Sequence, residues 1–369
     1  MNRVAYLSHF LFIAGFGIFT FSGLAQNISD AKPYKIVNTT RIMGAGGTDY
    51  VYADNDGRRL YIPRGNQVLV FDLDTLKSVG SITNARAHGV AVDPKSNHGF
   101  CSSSPIVMWD IRTLETIKTI DVQGRPDGIL FEPLTERIYV FSHSAPNATV
   151  IDAGDGSVIG TIDLGGAPEQ AQSDGNGHLY VDLEDKDQVA VVDVNTLKVT
   201  ALYSLAGKGG RPGGLGLDAK NHILFVMCHE PATCVVLNAD SGKILATLPI
   251  GTGTDGGGFN PNTMEAFSSQ GDGTLTIIKE TSPTSFQVEQ TVQTKPRART
   301  STLDTRNNQI ILITIERPPT LATTGSPNVT PQIAVTTLPI GTNQPVGNWR
   351  GGRGGYNGPA MLDIIVVGN

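Results

Sequence analysis

Charge is sparse in this chain. Of 369 residues only 17% are charged, and the net charge is −6. No basic footprint is present, which excludes nucleic acid as the expected partner. The run "RGGRGG" near the C-terminus holds only two arginines in an acidic chain, too few to reverse that reading. No Cys-x-x-Cys-His occurs, so covalent c-type haem is excluded. Gly-x-Ser-x-Gly, His-Glu-x-x-His and a phosphate loop are also missing, which removes the familiar hydrolase, zinc-protease and nucleotide signatures. No segment after residue 21 is apolar enough to span a bilayer. Glycine, by contrast, is abundant, at 43 residues. Low charge with many glycines suits an all-β chain with many tight turns, because glycine supplies the positive φ that turns need.

The chain opens "MNRVAYLSHFLFIAGFGIFTFSGLAQ". Arg3, an apolar stretch from Val4 to Phe21 and the small residues Gly23-Leu24-Ala25 form the pattern of a secretory signal cleaved after Ala25. The rival is an uncleaved anchor, since the stretch is near the short limit for spanning. The signal reading places the mature chain in the periplasm or outside the cell, with no membrane span once cleaved. Three cysteines follow. Cys228 and Cys234 flank "HEPAT", and across a hairpin they would face each other as a disulfide. The other reading is two packed thiols. Cys101 reads as a small buried hydrophobe.

The strongest pattern is a repeat. Short apolar runs recur after glycine-rich steps: "DYVYAD" at 49, "HGVAVD" at 88, "DGILFE" at 127, "EQAQSD" at 169, "GGLGLD" at 213, "DGGGFN" at 255 and "RTSTLD" at 299. A period of about 40 residues with four strands per unit marks a β-propeller, and seven rows predict seven blades. Four c–d turns carry Asp or Asn with Thr or Ser three residues on: Asp72-Leu-Asp-Thr75, Asp110-Ile-Arg-Thr113, Asp193-Val-Asn-Thr196 and Asn238-Ala-Asp-Ser241. The last unit lacks one strand, and "YKIVNTTRIMG" near the N-terminus reads as a spare. Residues 34 to 43 are therefore expected to close the ring as the outer strand of blade seven, within a single propeller domain over 26–369.

The units "GRRLYIPRGNQVLVFDLDTLKSVGSI" and "TERIYVFSHSAPNATVIDAGDGSVIGTIDLG" resemble the YVTN-repeat β-propeller family. Tyr61, Tyr139 and Tyr180 hold its tyrosine position, which Phe225 and Phe267 fill in later units. The resemblance spans about residues 34 to 369. It implies a secreted or periplasmic bacterial propeller and assigns no reaction, since function lies in the site rather than the fold.

In such a blade the d–a and b–c loops share one end. That end gathers the residue that begins each row: Asp49, His88, Asp127, Glu169, Gly213, Asp255 and Arg299. Four carboxylates, one imidazole and one guanidinium around one mouth are the candidate site. Converging carboxylates repel unless something cationic intervenes, which invites a divalent metal or a cationic ligand group. The other reading is a solvated ring, or one paired with Arg299 around a wet channel. His143, Glu184, Asp185 and His229 lie on b–c loops at the same end. A long loop over 316–360, with Glu316, Arg317, Trp349, Arg350, Arg353 and Tyr356, is expected to fold partly over the mouth. His98, His178 and His222 fall in a–b turns at the opposite end and read as turn residues. The expected function is a monomeric module binding a small molecule or an envelope protein through this mouth. The alternative is a lactonase-like or other metal-assisted hydrolase, with a ring carboxylate or His88 as base and Arg299 stabilising an oxyanion.

Overall fold

The computed structural model describes residue 1 and residues 32–145, 147–316 and 359–369. Residues 2–25 of the expected signal and residues 317–358 of the expected long loop, Arg350 included, lie outside the described residues.

The described strands assort into seven antiparallel sheets of four. Blade three shows the unit. Strand a is Pro126–Glu132, b is Arg137–Ser142, c is Ala148–Asp152 and d is Val158–Ile162. Strand b is almost wholly buried, whereas d is mostly exposed. Neighbouring blades cover both faces of the middle strands, so these read as continuous apolar runs, while the outer strand meets water. The core is accordingly layered between blades. Between blades two and three, for example, Phe100, Ile106 and Met108 pack against Ile138, Val140 and Ile151.

Polar side chains set both kinds of turn. In the c–d turns, Asp72, Asp110 and Asp193 accept from the backbone N–H of Thr75, Thr113 and Thr196 at 2.8, 3.0 and 2.7 Å, and Asn238 accepts from Ser241 at 3.0 Å. The last residue of most rows does the same for the a–b turn. Asp54 accepts from Gly57 and Glu132 from Leu134, both at 2.9 Å. His222 is likewise a turn residue, bonded to Asp240, whereas His98 and His178 begin strand b of their blades, bonded to Ala153 O and Asp174.

Blade seven closes with chain from both ends. Thr300–Asp304, Gln309–Glu316 and Pro359–Gly368 are its inner three strands, and Lys35–Ala45 is the fourth, paired from Lys35↔Gly368 to Ala45↔Pro359. The wholly buried Asp363 anchors the seam through Arg41 and Lys295. Glu316 bonds these same two cations, at 2.6 and 2.9 Å. It therefore helps staple the closing strand, at the start of the b–c connection where the sequence places it.

The expected Cys228–Cys234 bridge is also corrected. All three cysteines are free and buried. Cys228 pairs with Thr233 and Cys234 with Met227, so the two thiols point to opposite faces of their blade. Cys228 packs with Val235 and Leu237, Cys234 with Phe225 and Val236.

One buried carboxyl makes stability pH-dependent. Glu280 is 3% exposed. Burial pushes its pKa up to about 7 from an ordinary 4.5; Asn221, donating at 2.8 Å, pulls the other way, and nearby Asp218 adds to the rise. The folded state thus holds this proton more tightly than the unfolded one. The resulting stability is present below pH 4.5 and is lost as pH rises to about 7. We expect Glu280→Gln to remove a fall of roughly 2–3 kcal/mol across that window. Urea midpoints of both chains at the two ends of the window test this; equal pH slopes would refute it.

Candidate functional site

The ring assembles where strand a of each blade begins. In blades three to six the register slips between Pro126 and Ile129, Pro168 and Ala171, Pro212 and Gly214, and Thr254 and Gly256. Asp127, Glu169, Gly213 and Asp255 sit inside these bulges. A bulge twists the strand and re-aims a side chain, here toward the channel mouth. Neighbouring backbones are stitched together at the same level. Tyr50 N–H donates to His88 O at 3.1 Å, and Thr300 Oγ1 donates to Asp49 O at 2.8 Å. Gly128 is required by this closeness, since a Cβ there would lie 2.7 Å from Glu169 O.

Three carboxyls and two imidazoles alternate around half of the mouth. His88 Nδ1 is 2.7 Å from Asp49 Oδ2 and 3.4 Å from Asp127 Oδ1. His143 Nε2 is 3.5 Å from Asp127 Oδ2 and 3.0 Å from Glu169 Oε1. Tyr50 closes the series by donating its hydroxyl to Glu169 Oε2 at 3.3 Å. Asp127 thus stands between two imidazoles, one facing each oxygen. His143 comes from a b–c loop, as the sequence expects, and the structure brings it into the ring.

Environment sets the charge. The hydrogen bond to Glu169 pushes His143 up to about 9, and the bond to Asp49 raises His88. Burial, with the neighbouring Asp49 and Glu169, pushes Asp127 up to about 6 against the pull of both imidazoles. Both imidazoles are therefore biased toward the charged form beside these carboxyls.

Arg299 serves the other half. Its Nε is 3.0 Å from Asp255 Oδ2. Burial nonetheless pushes Asp255 up to about 8, with Asp49, Glu169 and Asp127 adding to the rise. Gly213, the one bare ring position, leaves room that His229 fills: a Cβ on Gly213 would lie 2.7 Å from His229 Nε2. Burial and the Arg211 charge lower His229, the opposite direction to His88 and His143. Glu184 is tied to Arg211 at 2.5 Å, and Arg211 also reaches Glu230 at 3.4 Å.

Below the ring the channel encloses about 360 Å³, lined in part by Val90, Ile129 and Ser301. Gln170 reaches from blade four to blades five and six. Its Oε1 accepts from Leu215 N–H at 2.7 Å and Gly257 N–H at 3.1 Å, and its Nε2 donates to Gly257 O at 3.1 Å. This bracing gives the mouth a rigid floor.

Sequence reasoning missed Tyr50, Gln170 and Arg211. Tyr50 and Gln170 each follow a ring residue, and Arg211 precedes Pro212 as Arg125 precedes Pro126, so adjacency to the ring was the available signal.

No protein-family model and no curated protein matches the chain. Solved structures do. The chain is similar to a structure described as the crystal structure of RRP9 WD40 repeats, with a TM-score of 0.66 at 9% identity, covering 91% of this chain and 100% of that one. It is similar also to one described as the structure of U3-55K, with a TM-score of 0.66 at 10% identity, covering 90% and 99%. At such low identity the likeness shows the fold alone. The protein is a seven-bladed β-propeller. Among the described residues, no helix is long and apolar enough to cross a membrane.

Proposed function

We propose that this protein is an exported propeller, of the YVTN-repeat kind its units resemble, that binds a ligand bearing positive charge at its channel mouth. One observation carries the reading. Among the described residues, Asp49, Asp127 and Glu169 converge on one half of the mouth with His88 and His143 between them. An exchangeable cation can take the place of the imidazolium charge there, whereas Arg299 is committed to Asp255. Export rests on the pattern of residues 1–25, and a mature chain beginning at Gln26 is its mark.

A binding titration tests the mouth, with spermidine and divalent metal ions as probes, read by calorimetry and by the imidazole proton resonances. At least one probe is expected to shift His88 and His143. Asp127→Ala should weaken that probe at least about tenfold, roughly 1.4 kcal/mol. Its melting midpoint should stay close to wild type, because Asp127 lies at the mouth and not in an inter-blade layer. A wild type that binds none of the probes would overturn the reading.

A second reading, a lactonase-like hydrolase at the same mouth, has its own observation. Burial and the Arg211 and Arg299 charges lower His229, which favours the neutral imidazole that a general base requires. Lactone hydrolysis by the wild type that His229→Asn abolishes would favour this reading; no turnover would remove it.

A further inference from the structure

Asp127 presents its two carboxylate oxygens to two different imidazoles, and each oxygen belongs to a separate three-ligand set. The first is Asp49, His88 and Asp127; the second is Asp127, His143 and Glu169. Within each set the candidate ligand atoms all lie within 4.8 Å of one another. We infer that the mouth is a dinuclear site for zinc-class divalent ions, with Asp127 as the bridging carboxylate. This inference rests on the reading of the mouth as a cation-binding face, and it names the cation.

Donor chemistry selects the metal class. Each set offers one imidazole nitrogen and two carboxylate oxygens, a mixture that suits zinc and its neighbours. Calcium and magnesium prefer oxygen alone. Three protein ligands with an open fourth position is the arrangement of a reactive zinc centre rather than a structural one.

Geometry agrees. A tetrahedral ion with ligand bonds of about 2.1 Å sets its ligand atoms about 3.4 Å apart. The two edges that Asp127 shares with the imidazoles are 3.4 and 3.5 Å. The outer edges, 2.7 Å to Asp49 and 3.0 Å to Glu169, are hydrogen-bond lengths that open on ion entry. A carboxylate bridging through both oxygens suits two ions roughly 3.5–4 Å apart, the usual spacing of two-metal sites.

Support and access are both in place. Tyr50 holds the Glu169 oxygen that faces away from His143, as an outer-shell partner orients a ligand. The two imidazole side chains are 35% and 34% exposed, so ions reach them from the mouth. Asp127 and Glu169 are fixed in strand bulges, and the Gln170 brace stiffens the backbone beside them.

The test is equilibrium dialysis of the untagged chain against micromolar Zn²⁺, with elemental analysis. Two ions per chain are expected. His88→Gln and His143→Gln should each hold one, and Asp127→Asn should weaken both at least about tenfold. Co²⁺ in place of Zn²⁺ should give visible absorption that saturates at two equivalents in the wild type and at one in either histidine variant. Because the wild-type count needs no variant, the inference stays testable even if a variant fails to fold. A wild type holding no ion or one, or two histidine variants that both keep two, would overturn it. Spermidine binding without zinc binding would overturn this inference and leave the cation-binding reading standing. Absence of both would overturn both.

Discussion

A chain that begins at Gly46 is expected to lose cooperative folding. Lys35–Ala45 is the only outer strand of blade seven, and its pairing with Pro359–Gly368 runs along the whole of both strands. Ten residue pairs are lost with it. At about 0.5–1.5 kcal/mol net per backbone hydrogen bond, that rivals the 5–15 kcal/mol that holds a typical domain. Two further costs follow. Asp363, wholly buried, loses Arg41 and keeps Lys295. Arg64, buried, loses the carbonyl of Ile42 at 3.2 Å. The freed edge, "AMLDIIVVG", is apolar and unprotected, the kind of edge that recruits other chains. Circular dichroism against temperature and size exclusion should show a broad transition and aggregation. A synthetic peptide covering residues 32–47 added in trans should restore the sharp transition by strand addition. A truncated chain that melts sharply at the wild-type midpoint would show that three strands suffice in blade seven.

Trp109→Ala should cost about 3–5 kcal/mol, the range for removing a large buried aromatic. Trp109 is fully buried between blades one and two. Its ring lies 5.9 Å from that of Tyr61, and it covers Gly99, where a Cβ would stand 2.3 Å from the indole. Blade two is built around that fit, with Val90, Val92 and Cys101 in the same layer. Relaxation is restricted because each inter-blade layer is clamped by sheets on both sides. Urea unfolding followed by circular dichroism should move to a lower midpoint at unchanged slope. Trp109→Phe should recover part of the loss by refilling the volume. A shift under about 1 kcal/mol for the alanine variant would mean the layer collapses to fill the void.

Much of the architecture was legible because propeller blades repeat local instructions. Seven rows, the alternation of apolar runs with polar turns, and Asp-x-x-Thr corners each act within a few residues, and local chemistry of this kind survives in the one-dimensional pattern. The closing strand was legible for a related reason: blade seven was visibly one strand short, and residues 34–43 matched the missing type to within two residues of the observed Lys35–Ala45. The disulfide was misread because register, which decides the face a side chain takes, is set by pairing and not by spacing. Which cations Glu316 would meet was not legible, because Arg41 and Lys295 come from two remote segments.

The site divides in the same way. Sequence by itself determined which residues share the mouth, since strand order sends every d–a and b–c loop to one end. It supplied Asp49, His88, Asp127, Glu169, Asp255, Arg299, His143 and His229 as neighbours of one channel. Tertiary structure alone decided who touches whom: His143 reaching between Asp127 and Glu169, His229 filling the space above Gly213, and Arg299 turning to Asp255. Those pairings depend on differences of an ångström or two within and between adjacent blades, set by bulges and by how tightly the inner strands approach. No periodicity in the chain encodes such distances, because they arise only when the ring has closed.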